Sequence, residues 1–287
     1  MSMSKNTNKR KGLIVPLSKP LEDKPAVHLV PGLGGHVFSM QLIARAMSDN
    51  WLVYGMLHPV FVNDFTDTIE GSAALMAEAI LEKQAQGPYY IGGYSMGGLI
   101  AIEICRYLGK KGHDTKLILL DTRPPQPPPF KPLYLRLPIY IRWYAEKYYN
   151  RLFGSNRESR KKKSIAAYED HNAIKNVPEV FKKAFEIGRA SIDKYQPTKS
   201  NIETILIRSD VTAWWDGLRE WQDDYCWSET LNVREVILCP GDHLDLIGAD
   251  GYWQTTGEAI ERSLNILKAP LVNNTCPSAS LDLKHAN

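Results

Sequence analysis

The chain has 287 residues, 44% of them hydrophobic and 23% charged, a balance that suits one large folded domain with a substantial core. Its 35 basic and 32 acidic residues leave a net charge of +3, which argues neither way about nucleic acid, and with no nucleic-acid-binding motif present none is expected as a partner. Cys105, Cys226, Cys239 and Cys276 lack metal-ligand spacing, no apolar signal segment precedes them, and no apolar run approaches the ~18 residues of a membrane span, so a cytoplasmic protein with free thiols and no metal site is expected.

In chain order, residues 1–24 read as a flexible tail or linker: MSMSKNTNKRKG is polar and aperiodic, and the prolines of LIVPLSKP favour an extended segment. AVHLV (26–30) is a buried strand ending at Pro31-Gly32, and VFSMQLIARAM (37–47) has helical spacing. WLVYGM (51–56) is a second strand, followed by an amphipathic helix over 69–84 that Gly87-Pro88 closes. YYIGG (89–93), a helix over 96–111 and KLILL (116–120) continue the alternation. ETILIR (203–208), REVILC (234–239) and a helix over 257–268 complete it, and 269–287 reads as a second tail. Short apolar strands alternating with amphipathic helices predict an α/β fold with a mostly parallel central sheet flanked by helices, here over 25–268.

One segment breaks the pattern. Between about 123 and 200 no strand is predicted, and the stretch opens on the proline run RPPQPPPFKP, which cannot join a sheet. The aromatic LYLRLPIYIRWYAEKYYNRLF (133–153), the basic RESRKKK (157–163) and a helix over 178–195 follow. An insertion of that length between two sheet strands is expected to be functional, and it reads as a helical lid.

The strongest chemical signal is Gly93-Tyr94-Ser95-Met96-Gly97, which fits G-x-S-x-G with a strand before it and a helix after it. This is the pattern of a nucleophile elbow in the α/β-hydrolase fold. The sharp turn leaves no room for side chains two residues either side of the serine, so Gly93 and Gly97 are needed, and the helix N-terminus behind Ser95 favours negative charge. A serine hydroxyl needs a base, and His243 in Pro240-Gly241-Asp242-His243, directly after the last strand, fits the chain order best. His28, His36, His58, His113, His171 and His285 occupy positions without such a role. Two carboxylates could orient the histidine: Asp121, ending KLILL, and Asp210, following ETILIR. The oxyanion hole is expected from the backbone N–H of Met96 and one from the glycine loop Pro31-Gly32-Leu33-Gly34-Gly35, with Leu33 the first choice and Gly32 the neighbour.

These segments resemble the thioesterase domains of nonribosomal peptide and polyketide synthases. VPGLGGHVFSMQLIARAM resembles the family's glycine loop and following helix, GPYYIGGYSMGG its elbow, ILLDT its acid-bearing strand, YQPTKSNIETILIRS its return from the lid and CPGDHLDLI its histidine loop. The resemblance of ILLDT to the terminal-domain branch implies Asp121 as the acid, where the stand-alone editing branch would imply Asp210. It further implies a Ser-His-Asp thioesterase that takes a small-molecule acyl, peptidyl or polyketide thioester from the phosphopantetheine of a carrier protein, supplied in trans or within a larger synthase. No other cofactor is implied. An esterase, lipase or acyltransferase of the same fold, and a non-catalytic hydrolase-fold binding protein, are the competing readings. The cluster Arg157, Arg160, Lys161, Lys162 and Lys163 reads as a solvated charge run, and membrane contact by the aromatic stretch is not expected.

Overall fold

The computed structural model describes residues 12–19, 23–35, 37–64, 66–153, 178–248 and 251–269, with side chains omitted over 150–153. His36, His171, His285, Cys276 and the basic cluster at 157–163 lie outside the described residues.

Seven strands form one sheet: β1 (Ile14–Pro16), β2 (Ala26–Val30), β3 (Leu52–Met56), β4 (Tyr89–Tyr94), β5 (Thr115–Leu120), β6 (Glu203–Ser209) and β7 (Asn232–Cys239). Their order is β1-β3-β2-β4-β5-β6-β7, and every pair is parallel except β1 with β3. The described helices are α1 (Phe38–Ala46), α2 (Ile69–Lys83), α3 (Met96–Lys110), α4 (Leu133–Phe153), α5 (Glu179–Lys194) and α6 (Trp253–Lys268). None is long and apolar enough to cross a membrane.

Strand β5 shows why the apolar runs carry the fold. Leu117 and Leu119 join the core under α2 and α3, with Met76, Ile80, Ile100 and Ile104. Ile118 and Leu120 join the opposite core under α1 and α6, with Met40, Ile43, Ile260 and Leu264. A strand covered on both faces needs apolar residues at every position, because successive side chains point to opposite sides.

The N-terminal boundary differs from the sequence expectation. Ile14–Pro16, assigned to the tail, pairs antiparallel with β3, and Leu13 is only 1% exposed. The short apolar run can do this because an edge strand tolerates a proline whose missing N–H faces away from the ladder. The segment between β5 and β6 holds α4 and α5 among its described residues, as predicted. Helix α4 docks through Trp143, stacked on Trp214 at 4.6 Å between ring centroids, and leaves Tyr134, Leu137, Ile141, Tyr144 and Tyr148 exposed.

Two histidines are buried in this frame. His28 on β2 stacks on Tyr54, and neither of its ring nitrogens meets a hydrogen-bond partner among the described residues. Burial, reinforced by Lys83, lowers its pKa to about 4, and burial lowers that of His58 to about 4 as well. Both are neutral in the folded protein near neutral pH. Below pH 6.5 the unfolded chain gains protons that the folded one refuses, so stability falls as the pH drops from 6.5 towards 4, by roughly 3 kcal/mol for each histidine. His28→Phe keeps a ring against Tyr54 and removes two unsatisfied nitrogens. Urea titrations are expected to show a gain in stability that is about 2 kcal/mol larger at pH 5 than at pH 8. A variant no more stable than wild type at pH 5 would contradict this.

Candidate active site

Ser95 stands between β4 and α3 with φ 54° and ψ −124°, a conformation that costs a non-glycine residue on the order of 1–3 kcal/mol. Its surroundings hold it there. The Ser95 N–H donates to the Leu120 carbonyl at 2.9 Å, and the Ser95 carbonyl accepts from Gly98 N at 3.0 Å and from the Thr122 hydroxyl at 3.0 Å. The elbow has no space for β-carbons. One at Gly93 would strike the Gly97 carbonyl, and one at Gly97 would strike the carbonyls of Val30 and Pro31 at the end of β2. Both obstacles are backbone and cannot rotate away. Gly97→Ala is therefore expected to cost about 3 kcal/mol or more, read as a lower denaturation midpoint; a change below ~1 kcal/mol would mean the elbow yields.

His243 follows β7 in a loop that the sequence shapes locally. Gly241 adopts φ 94°, and the Asp242 carboxylate accepts from the N–H groups of Leu244 and Asp245. The loop delivers His243 Nε2 to 3.1 Å from Ser95 Oγ and Nδ1 to 2.6 Å from Asp121 Oδ2. Asp121 is 2% exposed. Its second oxygen, Oδ1, accepts from Ser209 N at 3.0 Å, Ser209 Oγ at 3.1 Å and Tyr225 Oη at 2.9 Å. Burial alone pushes the Asp121 carboxyl upward. The hydrogen bond and charge of His243, with the donors from Ser209 and Tyr225, outweigh it and hold the pKa at about 2.

Of the two candidate acids the structure brings Asp121 to His243. Asp210 is exposed, and its Oδ1 instead accepts from Gly241 N at 2.9 Å, shaping the loop on which His243 rides. The glycine loop passes beside the elbow: a β-carbon at Gly32 would lie 3.3 Å from Ser95 Cβ. Leu33 and Met96 come together beneath α5, where a β-carbon at Gly188 would lie 2.7 Å from Met96 Sδ and 2.8 Å from Leu33 Cδ1. Gly188 thus lets a helix of the insertion rest directly on the two residues proposed to donate to an oxyanion.

Several functional neighbours escape sequence reasoning. Tyr94, inside the motif, stacks on the His243 ring at 4.8 Å and donates its hydroxyl to the His243 carbonyl at 2.7 Å. Its place beside the serine was a usable signal. Tyr225 and Gly188 carry none, because their partners are distant in sequence. Among the described residues no group of three or more His, Cys, Asp or Glu side chains is arranged to hold a metal ion.

The chain is similar to known proteins in part of its sequence and in its fold. Residues 25–129 match the thioesterase domain family. The matched region includes the glycine loop, Ser95 and Asp121. Over 119 residues the chain is 34% identical to a non-reducing polyketide synthase of Pseudevernia furfuracea, a match that covers 39% of this chain and 6% of the synthase. Over 105 residues it is 35% identical to the nonribosomal peptide synthetase pngA of Aspergillus terreus, covering 36% of this chain and 11% of that protein. The chain thus spans a small fraction of the length of the curated relatives it matches, which are large synthases. Among solved structures, the NocB thioesterase domain of the nocardicin cluster aligns with a TM-score of 0.62 at 17% identity, covering 88% of this chain and 99% of that one. The four-domain nonribosomal peptide synthetase AB3403 aligns with a TM-score of 0.62 at 20% identity, over 90% of this chain and 20% of that one. These structural likenesses show the α/β-hydrolase fold, with its mostly parallel sheet and flanking helices.

Proposed function

We propose that the protein is a serine thioesterase that releases an acyl, peptidyl or polyketide chain from the phosphopantetheine arm of a carrier protein through an acyl-enzyme on Ser95. The alignment of Ser95, His243 and Asp121 at 3.1 and 2.6 Å, in a chain matching the thioesterase family, carries this reading.

Ser95 Oγ attacks the thioester carbonyl carbon as its proton passes to His243 Nε2. Asp121 faces Nδ1 as an ionised, buried carboxylate, so it fixes the tautomer that leaves Nε2 able to accept and then stabilises the imidazolium. The N–H groups of Met96 and Leu33 receive the negative charge that develops on the carbonyl oxygen, each worth roughly 3 kcal/mol in the transition state. The C–S bond breaks, the pantetheine thiol leaves with the proton from Nε2, and Ser95 holds the acyl group as an ester. A second nucleophile, water or an amine or hydroxyl of the chain itself, gives its proton to Nε2 and attacks the ester carbonyl. The product is then free and Ser95 recovers its proton.

The carrier protein is met in trans or within a larger synthase, a reading that the synthase relatives favour. The insertion acts as the lid, since α5 rests on Leu33 and Met96. The chemistry needs no cofactor beyond the substrate's own pantetheine, and the protein works in the cytoplasm.

Turnover of an acyl-pantetheine thioester against the oxygen ester of the same acyl group tests the substrate class. The proposal expects kcat/KM on the thioester at least equal to that on the ester. An active ester beside an inert thioester would move the protein to the esterase or acyltransferase class.

A further inference from the structure

Asp121 has two oxygens with different duties. Oδ2 faces His243, so the orientation of the carboxylate depends on what grips Oδ1, and the only side-chain hydroxyl reaching it from outside β6 among the described residues is that of Tyr225. Tyr225 is 2% exposed and sits in an unusual place. Its ring lies between two guanidinium groups, that of Arg123 at 4.9 Å and that of Arg208 at 4.5 Å. Cation–π contacts from two cations fix a ring far more tightly than one contact would. The backbone is constrained as well. Tyr225 and Cys226 both adopt left-handed φ, 55° and 66°, which non-glycine residues keep only when neighbours over-determine it. Asp224 accepts from Cys226 N and Ser228 N, and Trp227 Nε1 donates to the Thr122 carbonyl at 2.8 Å, next to Asp121 itself.

The clamp extends outward. Arg123 makes a two-pronged pair with Asp216, at 2.5 and 2.9 Å, and stacks on Trp221. Asp216 belongs to the 3-10 turn Trp214–Leu218, on which α4 docks through Trp143 and Tyr140. An unbroken series of contacts therefore runs from the insertion helix through Asp216, Arg123 and Tyr225 to the carboxylate.

Resting on the triad reading above, we propose that Tyr225 is a positioning residue of the active site: its hydroxyl holds the free oxygen of Asp121, and its ring, gripped by Arg123 and Arg208, ties that oxygen to the segment on which α4 rests. A tyrosine that merely filled the core would be replaced by phenylalanine without effect, since phenylalanine keeps both cation–π contacts. A positioning tyrosine would not.

Tyr225→Phe in the full chain tests this, with steady-state kinetics on an acyl-pantetheine thioester across pH and a thermal melt. The expected result is a kcat lowered roughly tenfold, as for loss of one hydrogen bond to a charged group, with KM within about twofold of wild type. The acidic limb of kcat/KM moves to higher pH, because a carboxylate stripped of a donor holds the imidazolium more tightly. Wild-type kcat with an unmoved acidic limb overturns the proposal if Asp121→Asn, assayed alongside, is impaired. If Asp121→Asn is itself fully active, the triad reading is what fails. Should Tyr225→Phe not fold, Asp216→Asn loosens the clamp with Tyr225 in place. A fall of about threefold or more in kcat with the same displacement of the acidic limb then supports the proposal, and wild-type behaviour overturns it.

Discussion

Ser95→Ala is expected to lower kcat on an acyl-pantetheine thioester by about 10⁶-fold while the melting temperature stays close to that of the wild type. The loss is large because the later steps all pass through the ester on Oγ, and no neighbouring group stands in for it. Residual turnover comes from the oxyanion donors and from binding alone, neither of which needs the hydroxyl. The fold survives because the strain at φ 54° is set by the surrounding hydrogen bonds and the glycine contacts, which alanine leaves in place. Steady-state assays of the two proteins decide the matter. A variant within tenfold of wild type would remove Ser95 from the chemistry.

Asp121→Asn is expected to lower kcat by about 10⁴-fold, and the hydrogen-bond pattern explains the size. Three donors point at Oδ1, from Ser209 N, Ser209 Oγ and Tyr225 Oη. An asparagine satisfies them only with its carbonyl oxygen on that side, which turns its NH₂ towards His243 Nδ1. The imidazole must then accept at Nδ1 and carry its proton on Nε2, where it no longer accepts the proton of Ser95. The charge that would stabilise the imidazolium is lost as well. Asp210→Asn is expected to behave differently. The amide oxygen still accepts from Gly241 N, so the loop under His243 persists and kcat stays within a few-fold of wild type. Parallel kinetics on the two variants distinguish the two carboxylates, and a reversed order would transfer the role of acid to Asp210.

The sheet was legible in the sequence because its signal is local. A strand such as KLILL, buried on both faces, has no polar position after its first residue, and each helix between strands repeats every three to four residues. The elbow was legible for the same reason: Gly93, Ser95 and Gly97 lie within five residues, and the strain they accommodate is confined to that turn. His243 followed from chain order once Ser95 was fixed. Local reasoning stopped at the acid, since Asp121 and Asp210 both end sheet strands, and only the resemblance favoured the first. In the structure Asp121 faces His243, while Asp210 caps the loop at Gly241. Leu13 and Ile14 were hidden because a three-residue edge strand beside prolines looks like a linker. Tyr225 and Gly188 were beyond reach for a more basic reason. Their partners, Asp121 in one case and Leu33 and Met96 in the other, lie roughly a hundred or more positions away, and no period links residues across a fold.

The measurement that bears most directly on the central claim is intact-protein mass spectrometry of the enzyme mixed with an acyl-pantetheine thioester and quenched in acid, followed by peptide mapping. The account predicts a mass increase equal to one acyl group, carried by the peptide containing Ser95, absent from Ser95→Ala and no longer formed at an appreciable rate in His243→Ala. Acyl transfer to another residue, or thioester turnover that persists undiminished in Ser95→Ala, would contradict it.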